Sequence, residues 1–184
     1  SEFRYNTKPL PSLQSIDTQE RVIYLGTFTK SIGPFLRISF MVLPPSLLSL
    51  YRQRYGVFSS PVSGFEQKVL NEFIRQGHFE RHLNRMRLVY KNKRALLEES
   101  LGGFGDKIRI GGENAGHHLL VRLHTGMSEA EMCRTALEKG VRVYPISQYF
   151  VGQMPRQYQG NVLLGYGARS DGEIRRGVEL LREA

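Results

Sequence analysis

Three serines in this chain stand three residues ahead of a glutamate, each just before an apolar repeat: Ser63 and Glu66, Ser128 and Glu131, Ser170 and Glu173. That spacing marks a helix start. The hydroxyl accepts from a free N–H of the first turn, and the carboxylate reaches back to the serine N–H. After Ser63, the residues Phe65, Val69, Leu70, Phe73 and Ile74 form one stripe, and Gly77 closes the helix. The helix after Ser128 ends at Gly140, and the last carries Ile174, Val178 and Leu181. Short runs of strand type lie between: residues 21–25 up to Gly26, 36–43, 108–110, 117–123, 141–144 and 162–166. Strands alternating with helices predict an α/β layer.

Two further helices are expected. One spans 46–55, after Pro44-Pro45 and before Gly56. The other is long, 78–101, with Phe79, Leu83, Met86, Tyr90, Leu97 and Leu101 on one face. Its remaining faces carry Arg81, Arg85, Arg87, Lys91, Lys93 and Arg94, and Gly102-Gly103 is expected to stop it. Pro9 and Pro11 forbid a regular helix in the opening 17 residues. The long helix divides the chain into residues 1–60, a piece with too few strands to close a core, connecting helices over 61–102, and a compact small domain over 103–184.

Hydrophobic residues make up 40% and charged residues 23%, a globular and not a disordered balance. The longest apolar run, 38–50, is broken by two prolines and is too short to span a bilayer. The opening Ser1-Glu2-Phe3-Arg4 lacks the apolar stretch of a secretory signal, and the chain does not begin with Met. Both point to a piece of a longer cytoplasmic protein. Cys133, the only cysteine, sits in a helical pattern and is expected to be packed. The net charge of +9 attracts anions in general.

One stretch carries chemistry: Gly26-Thr27-Phe28-Thr29-Lys30-Ser31-Ile32-Gly33-Pro34-Phe35-Leu36-Arg37. A strand ends, hydroxyls flank a lysine on a turn, and an arginine follows seven residues later. Hydroxyls, backbone N–H groups and an arginine on one loop suit a phosphate. A neutral lysine amine beside that phosphate condenses with an aldehyde. Aldehyde plus phosphate describes pyridoxal phosphate; the plain alternative is a surface loop with ordinary charges.

The same stretch, continuing Pro34-Phe35-Leu36-Arg37-Ile38-Ser39-Phe40-Met41-Val42-Leu43-Pro44, resembles the Schiff-base segment of the MocR/GabR transcription regulators. The opening Ser1-Glu2-Phe3-Arg4-Tyr5, the helix around Arg81-His82-Leu83-Asn84-Arg85-Met86-Arg87, and Leu164-Gly165-Tyr166-Gly167 match further segments in the same order. The resemblance implies a fold-type I pyridoxal-phosphate-dependent transferase of α/β class, here the tail of its large domain plus its small domain. It implies Lys30 as the cofactor lysine, Thr27 and Arg37 as phosphate ligands, and Thr29 as a phosphate ligand or a shaper of the loop. It also implies a homodimer, an amino-acid or amine effector, and DNA contact through a winged helix-turn-helix absent from this chain.

Two departures bear on activity. The family's aspartate for the pyridine nitrogen precedes the Ser-Glu-Phe-Arg-Tyr segment. Aminotransferases of this fold also hold the substrate carboxylate with an arginine on a late strand, which here reads Val162-Leu163-Leu164; Arg169 lies beyond it. A class I aminotransferase acting on an amino acid and a 2-oxo acid is therefore the alternative, and a nucleic-acid binder driven by charge a third. Residues 75–94 hold seven Lys or Arg against one acidic residue, a face that is either solvated or set against DNA. His117 and His118, adjacent on a strand, are expected to face opposite sides, His118 at a histidine position of the family. No metal is expected. A loop bearing Tyr144, Tyr149 and Tyr158 is read as a lid over a site.

Overall fold

The computed structural model describes residues 3–5, 8, 10–111 and 115–184. Ser1, Glu2 and Pro9, which entered the sequence reading, lie outside the described residues. The chain divides into two compact units. The first takes the chain through Met86; the second takes Arg87–Ala184 together with Phe3, Arg4 and Tyr5.

The first unit holds a two-stranded antiparallel sheet, β1 (Tyr24–Thr27) against β2 (Ser39–Val42), with Gly26 opposite Phe40. The expected strand stopped at Gly26; the real one runs through it. Glycine suits this position because the Phe40 ring crosses it, and a Cβ there would lie 2.3 Å from Phe40 Cζ. Helix α1 (Pro45–Tyr55) begins with proline at its first position, where no N–H is needed. Helix α2 (Gly64–Arg75) is capped by Ser63, which accepts from Phe65 N at 3.3 Å. The return bond from Glu66 is not formed, so this is a simple cap and not the reciprocal box its spacing predicted. Gly77 then takes φ 71°, the left-handed turn that ends the helix.

Helix α3 (His78–Leu101) spans the predicted range and gives its residues from Arg87 onward to the second unit. Gly102-Gly103 does not stop the coil. It tightens into a 3-10 stretch, Gly102–Lys107, where Gly105 adopts φ 55°. The second unit is built on a four-stranded antiparallel sheet of order β3-β4-β6-β5: β3 (Ile108–Gly111), β4 (His118–Leu123), β5 (Tyr144–Pro145) and β6 (Asn161–Gly165). Strand β5 has only two residues and shares Tyr144 alone with the expected 141–144. The reciprocal boxes at Ser128 and Ser170 open α4 (Glu129–Glu138) and α5 (Asp171–Arg182) as the spacing predicts.

One core fills this unit. Leu119, Val121, Val162 and Leu164 face Leu97 and Leu101 of α3, Met132 and Ala136 of α4, and Ile174, Val178 and Leu181 of α5. Leu101, Leu119, Val121 and Val162 are fully buried, each contributing about 1.5–3 kcal/mol over an exposed position. The segment Phe3–Tyr5 is part of this packing. Arg4 bridges Ala115, and Gly116 N donates to Phe3 O at 3.0 Å. Phe3 meets the rings of Tyr90 and His117 at 4.9 and 5.0 Å.

Arg94 corrects the sequence reading. It was placed with the polar faces, yet it is 8% exposed and bonds Glu98 Oε1 at 2.6 and 2.9 Å. It lies four residues after Tyr90 and three before Leu97, so helical geometry sets it on the apolar face. There its guanidinium stands 5.6 Å over the Tyr5 ring.

Candidate functional site

The lysine loop leaves β1 at Thr27 and returns at Ile38, entirely within the first unit. Phe28 N donates to Ile38 O at 3.0 Å, and Ile32 N donates back to Phe28 O at 2.8 Å. These bonds fold residues 28–32 into a single turn. The Phe28 ring is held between Phe40, 5.3 Å away, and Phe79 of α3, 5.8 Å away edge to face. Ser31 is 2% exposed, its hydroxyl directed to Phe28 O and its carbonyl 3.1 Å from His82 Nε2. Ser31 and His82 were not singled out in the sequence. The signal was present for His82, which follows Phe79 by three residues and so shares its face.

The hydroxyls differ in their commitments. Thr29 Oγ1 donates to Leu36 O at 2.7 Å, a short bond that ties the two sides of the loop. Thr27 Oγ1 donates to Ile38 O at 3.3 Å and accepts from Thr29 N at 3.3 Å, both long. Lys30 and Arg37 are exposed, and neither side chain has an acidic partner among the described residues. The loop therefore presents two uncompensated cations and one weakly held hydroxyl. That donor set fits a phosphate carried by an aldehyde-bearing molecule.

Other candidates lie in the second unit. His117 packs its ring 4.3 Å from that of Tyr90, and His118 lies against Gly165, where a Cβ would sit 3.3 Å from its Cδ2. His117 precedes β4 and does not share the strand with His118, as the sequence reading had it, because the chain bends there. Among the described residues no three His, Cys, Asp or Glu side chains are grouped to hold a metal. Burial, then the nearby Glu129 charge, raises the Cys133 thiol above its ordinary value, which favours the packed, unreactive form. Strand β6 contains no arginine, and Arg169 bonds Glu173 at 3.2 Å instead. The Tyr144–Tyr158 stretch forms two single 3-10 turns, with Phe150 and Tyr158 in ring contact at 5.3 Å. Its start is tied to Glu129 Oε1, which accepts from Ile146 N and Ser147 N. Among the described residues no helix is long and apolar enough to cross a membrane.

No protein-family model matches the chain. Relatives match it over its whole length. It is 42% identical over 184 residues to an uncharacterized HTH-type transcriptional regulator, YhdI, of Bacillus subtilis, and covers 39% of that protein. It is 34% identical to the probable rhizopine catabolism regulatory protein MocR of Rhizobium meliloti, covering 37% of it. The chain thus spans about two fifths of the length of these relatives. In structure it is similar to the α-aminoadipate aminotransferase LysN of Thermus thermophilus, complexed there with N-(5'-phosphopyridoxyl)-L-leucine, with a TM-score of 0.82, 27% identity, and coverage of 99% of this chain and 47% of that one. The α/β fold is that of the fold-type I aminotransferases, and over its whole length the chain is similar to one part of HTH-type transcription regulators that include MocR.

Proposed function

We propose that this chain is part of the pyridoxal-phosphate-binding effector and dimerisation domain of a longer cytoplasmic regulator, whose DNA contacts are made by a separate winged helix-turn-helix. Residues 1–60 then belong to the large cofactor domain, 61–102 to the connecting helices and 103–184 to the small domain. The observation that carries this reading is the pair of exposed cations, Lys30 and Arg37, on one loop pinned by the Thr29 to Leu36 bond. Bound there, the cofactor supplies an electrophilic aldehyde and a conjugated ring that withdraws electrons.

The chain's own residues divide the work. Lys30 Nζ would hold the aldehyde end of the cofactor. Arg37 offers a planar pair of donors to the phosphate oxygens. Thr27, whose hydroxyl makes only a long contact to Ile38 O, would offer it to the phosphate. Thr29 keeps its short bond and shapes the loop. An amino compound competing with Lys30 for the aldehyde would be the effector, and its arrival would bias the arrangement of a dimer. The missing arginine on β6 weighs against turnover of an amino acid as the main activity.

The test is a visible absorbance titration with pyridoxal phosphate, on this chain and on the full-length protein, with Lys30→Ala controls. A band that borohydride makes permanent, located at Lys30 by peptide mass and lost in the control, is the expected result. A band that persists in Lys30→Ala, or none in either protein, sinks the reading. Arg37→Gln should weaken binding about tenfold or more, as loss of a charge-assisted phosphate contact does.

A further inference from the structure

One row of the second unit's sheet reads Arg109, Arg122, Asn161, in register across β3, β4 and β6. Directly opposed residues of antiparallel strands share a face. This face is the one turned from the core, because Val121 and Val162, next along β4 and β6, are fully buried among the helices. Two guanidinium groups therefore stand opposite each other as a cross-strand pair, and like charges in that position repel. Among the described residues no carboxylate lies within ion-pair distance of either. Nor are both free to swing away. Arg122 is half-buried beside Gly160, where a Cβ would lie 4.0 Å from its Cγ and Nε. Asn161 is 6% exposed and donates to Gln157 O only at 3.5 Å, the outer limit of a hydrogen bond. The neighbouring row on the same face, Leu120, Leu163 and Tyr144, is apolar.

We propose that Arg109 and Arg122, with Asn161, form a binding site for a small doubly charged oxyanion, a phosphate monoester or a dicarboxylate with a short carbon skeleton. Two positive charges on adjacent strands match a dianion. Planar guanidinium forks suit both carboxylate and phosphate oxygens. The apolar row alongside takes the carbon skeleton. The ligand neutralises a repulsion that the sheet otherwise carries. This site is separate from the Lys30 loop and does not rest on the reading given to that loop.

The test uses the 184-residue chain at constant ionic strength, with inorganic phosphate, glycerol phosphate and glutarate in separate titrations and sodium chloride as the reference. Backbone amide resonances of residues 109, 122, 160 and 161 should shift saturably with at least one dianion and not with chloride. Response to both phosphates alone assigns the phosphate source; response to glutarate alone assigns the dicarboxylate. Arg109→Gln should raise Tm in chloride, where it removes the repulsion, and should weaken dianion binding at least fivefold. That reversal of sign is not expected of an arginine with a merely structural role. Shifts spread over the basic surface without saturation would overturn the proposal. So would an Arg109→Gln chain that loses stability in chloride and keeps its dianion response.

Discussion

The carbonyl of Gly116 accepts two phenol hydroxyls, from Tyr5 at 2.6 Å and from Tyr166 at 2.7 Å. Either phenol alone satisfies it, so Tyr5→Phe or Tyr166→Phe should each cost about 0.5–1.5 kcal/mol. Removing both leaves a part-buried acceptor unmet, so the double variant should lose more than the two single losses together. Urea unfolding of the four proteins measures this, and simple additivity would refute the shared acceptor. The same pair sets an alkaline limit. Burial is the largest cause raising both phenols above their ordinary 10.0. A group whose folded value is raised keeps its full contribution below the unfolded value and loses it as pH rises. Stability should therefore fall as pH rises beyond about 10, and the double Phe variant should flatten that fall. On the lysine loop the two threonines should separate cleanly. Thr27→Val should weaken pyridoxal phosphate binding with little change in Tm. Thr29→Val should destabilise the loop by about 1 kcal/mol through the orphaned Leu36 carbonyl.

At the scale of elements, helix starts with local chemistry were the most legible. At α4 and α5 the serine and glutamate satisfy each other within one turn, so no distant residue can overrule them. At α2 the same spacing gave only half the motif, because the Ser63 hydroxyl settled on Phe65 N. Strand ends were less legible. Gly26 read as a terminator until Phe40 stood across it, and that contact comes from residues 14 apart in sequence. The burial of Arg94 follows from its place in the stripe and not from its residue type. Candidate site residues in the lysine loop were legible as a group, since they are contiguous. The Arg109 and Arg122 pair was not, because register exists only after the strands have met. The closed boxes carry a prediction of their own. Hydrogen bonds from Ser128 and Ser170 hold the Glu131 and Glu173 carboxyls below their ordinary 4.5. A lowered value contributes stability above the unfolded pKa and loses it as pH falls through the folded one. Helix α5 should therefore fray below about pH 4.5, and Glu173→Gln should remove that dependence while Ser170→Ala lowers Tm at every pH. Amide exchange of residues 171–176 is the readout; no change in either variant would refute it.

For the molecule as a whole, what decides behaviour is where the buried apolar surface lies. Among the described residues, the first unit buries the apolar side chains of Ile38, Pro44 and Leu83, and the rest of the buried core belongs to the second unit. Helices α1 and α2 bury no residue, and Leu25, Met41 and Val42 of the two-stranded sheet are exposed. Local opening free energy follows such burial, so the first unit should open at far lower cost than the second. Hydrogen exchange should find α1, α2, β1 and β2 fast, and β4, β6 and α5 slow by orders of magnitude. A ligand that binds only the closed lysine loop adds to its stability by mass action, about 2.7 kcal/mol at a hundred times its Kd. Saturating pyridoxal phosphate should therefore slow exchange across residues 24–42 roughly a hundredfold and leave β4 and β6 unchanged. Lys30→Ala should abolish that local protection. Equal slowing in both units would mean that they open as one, and no slowing at residues 24–42 would mean that the cofactor does not close this loop.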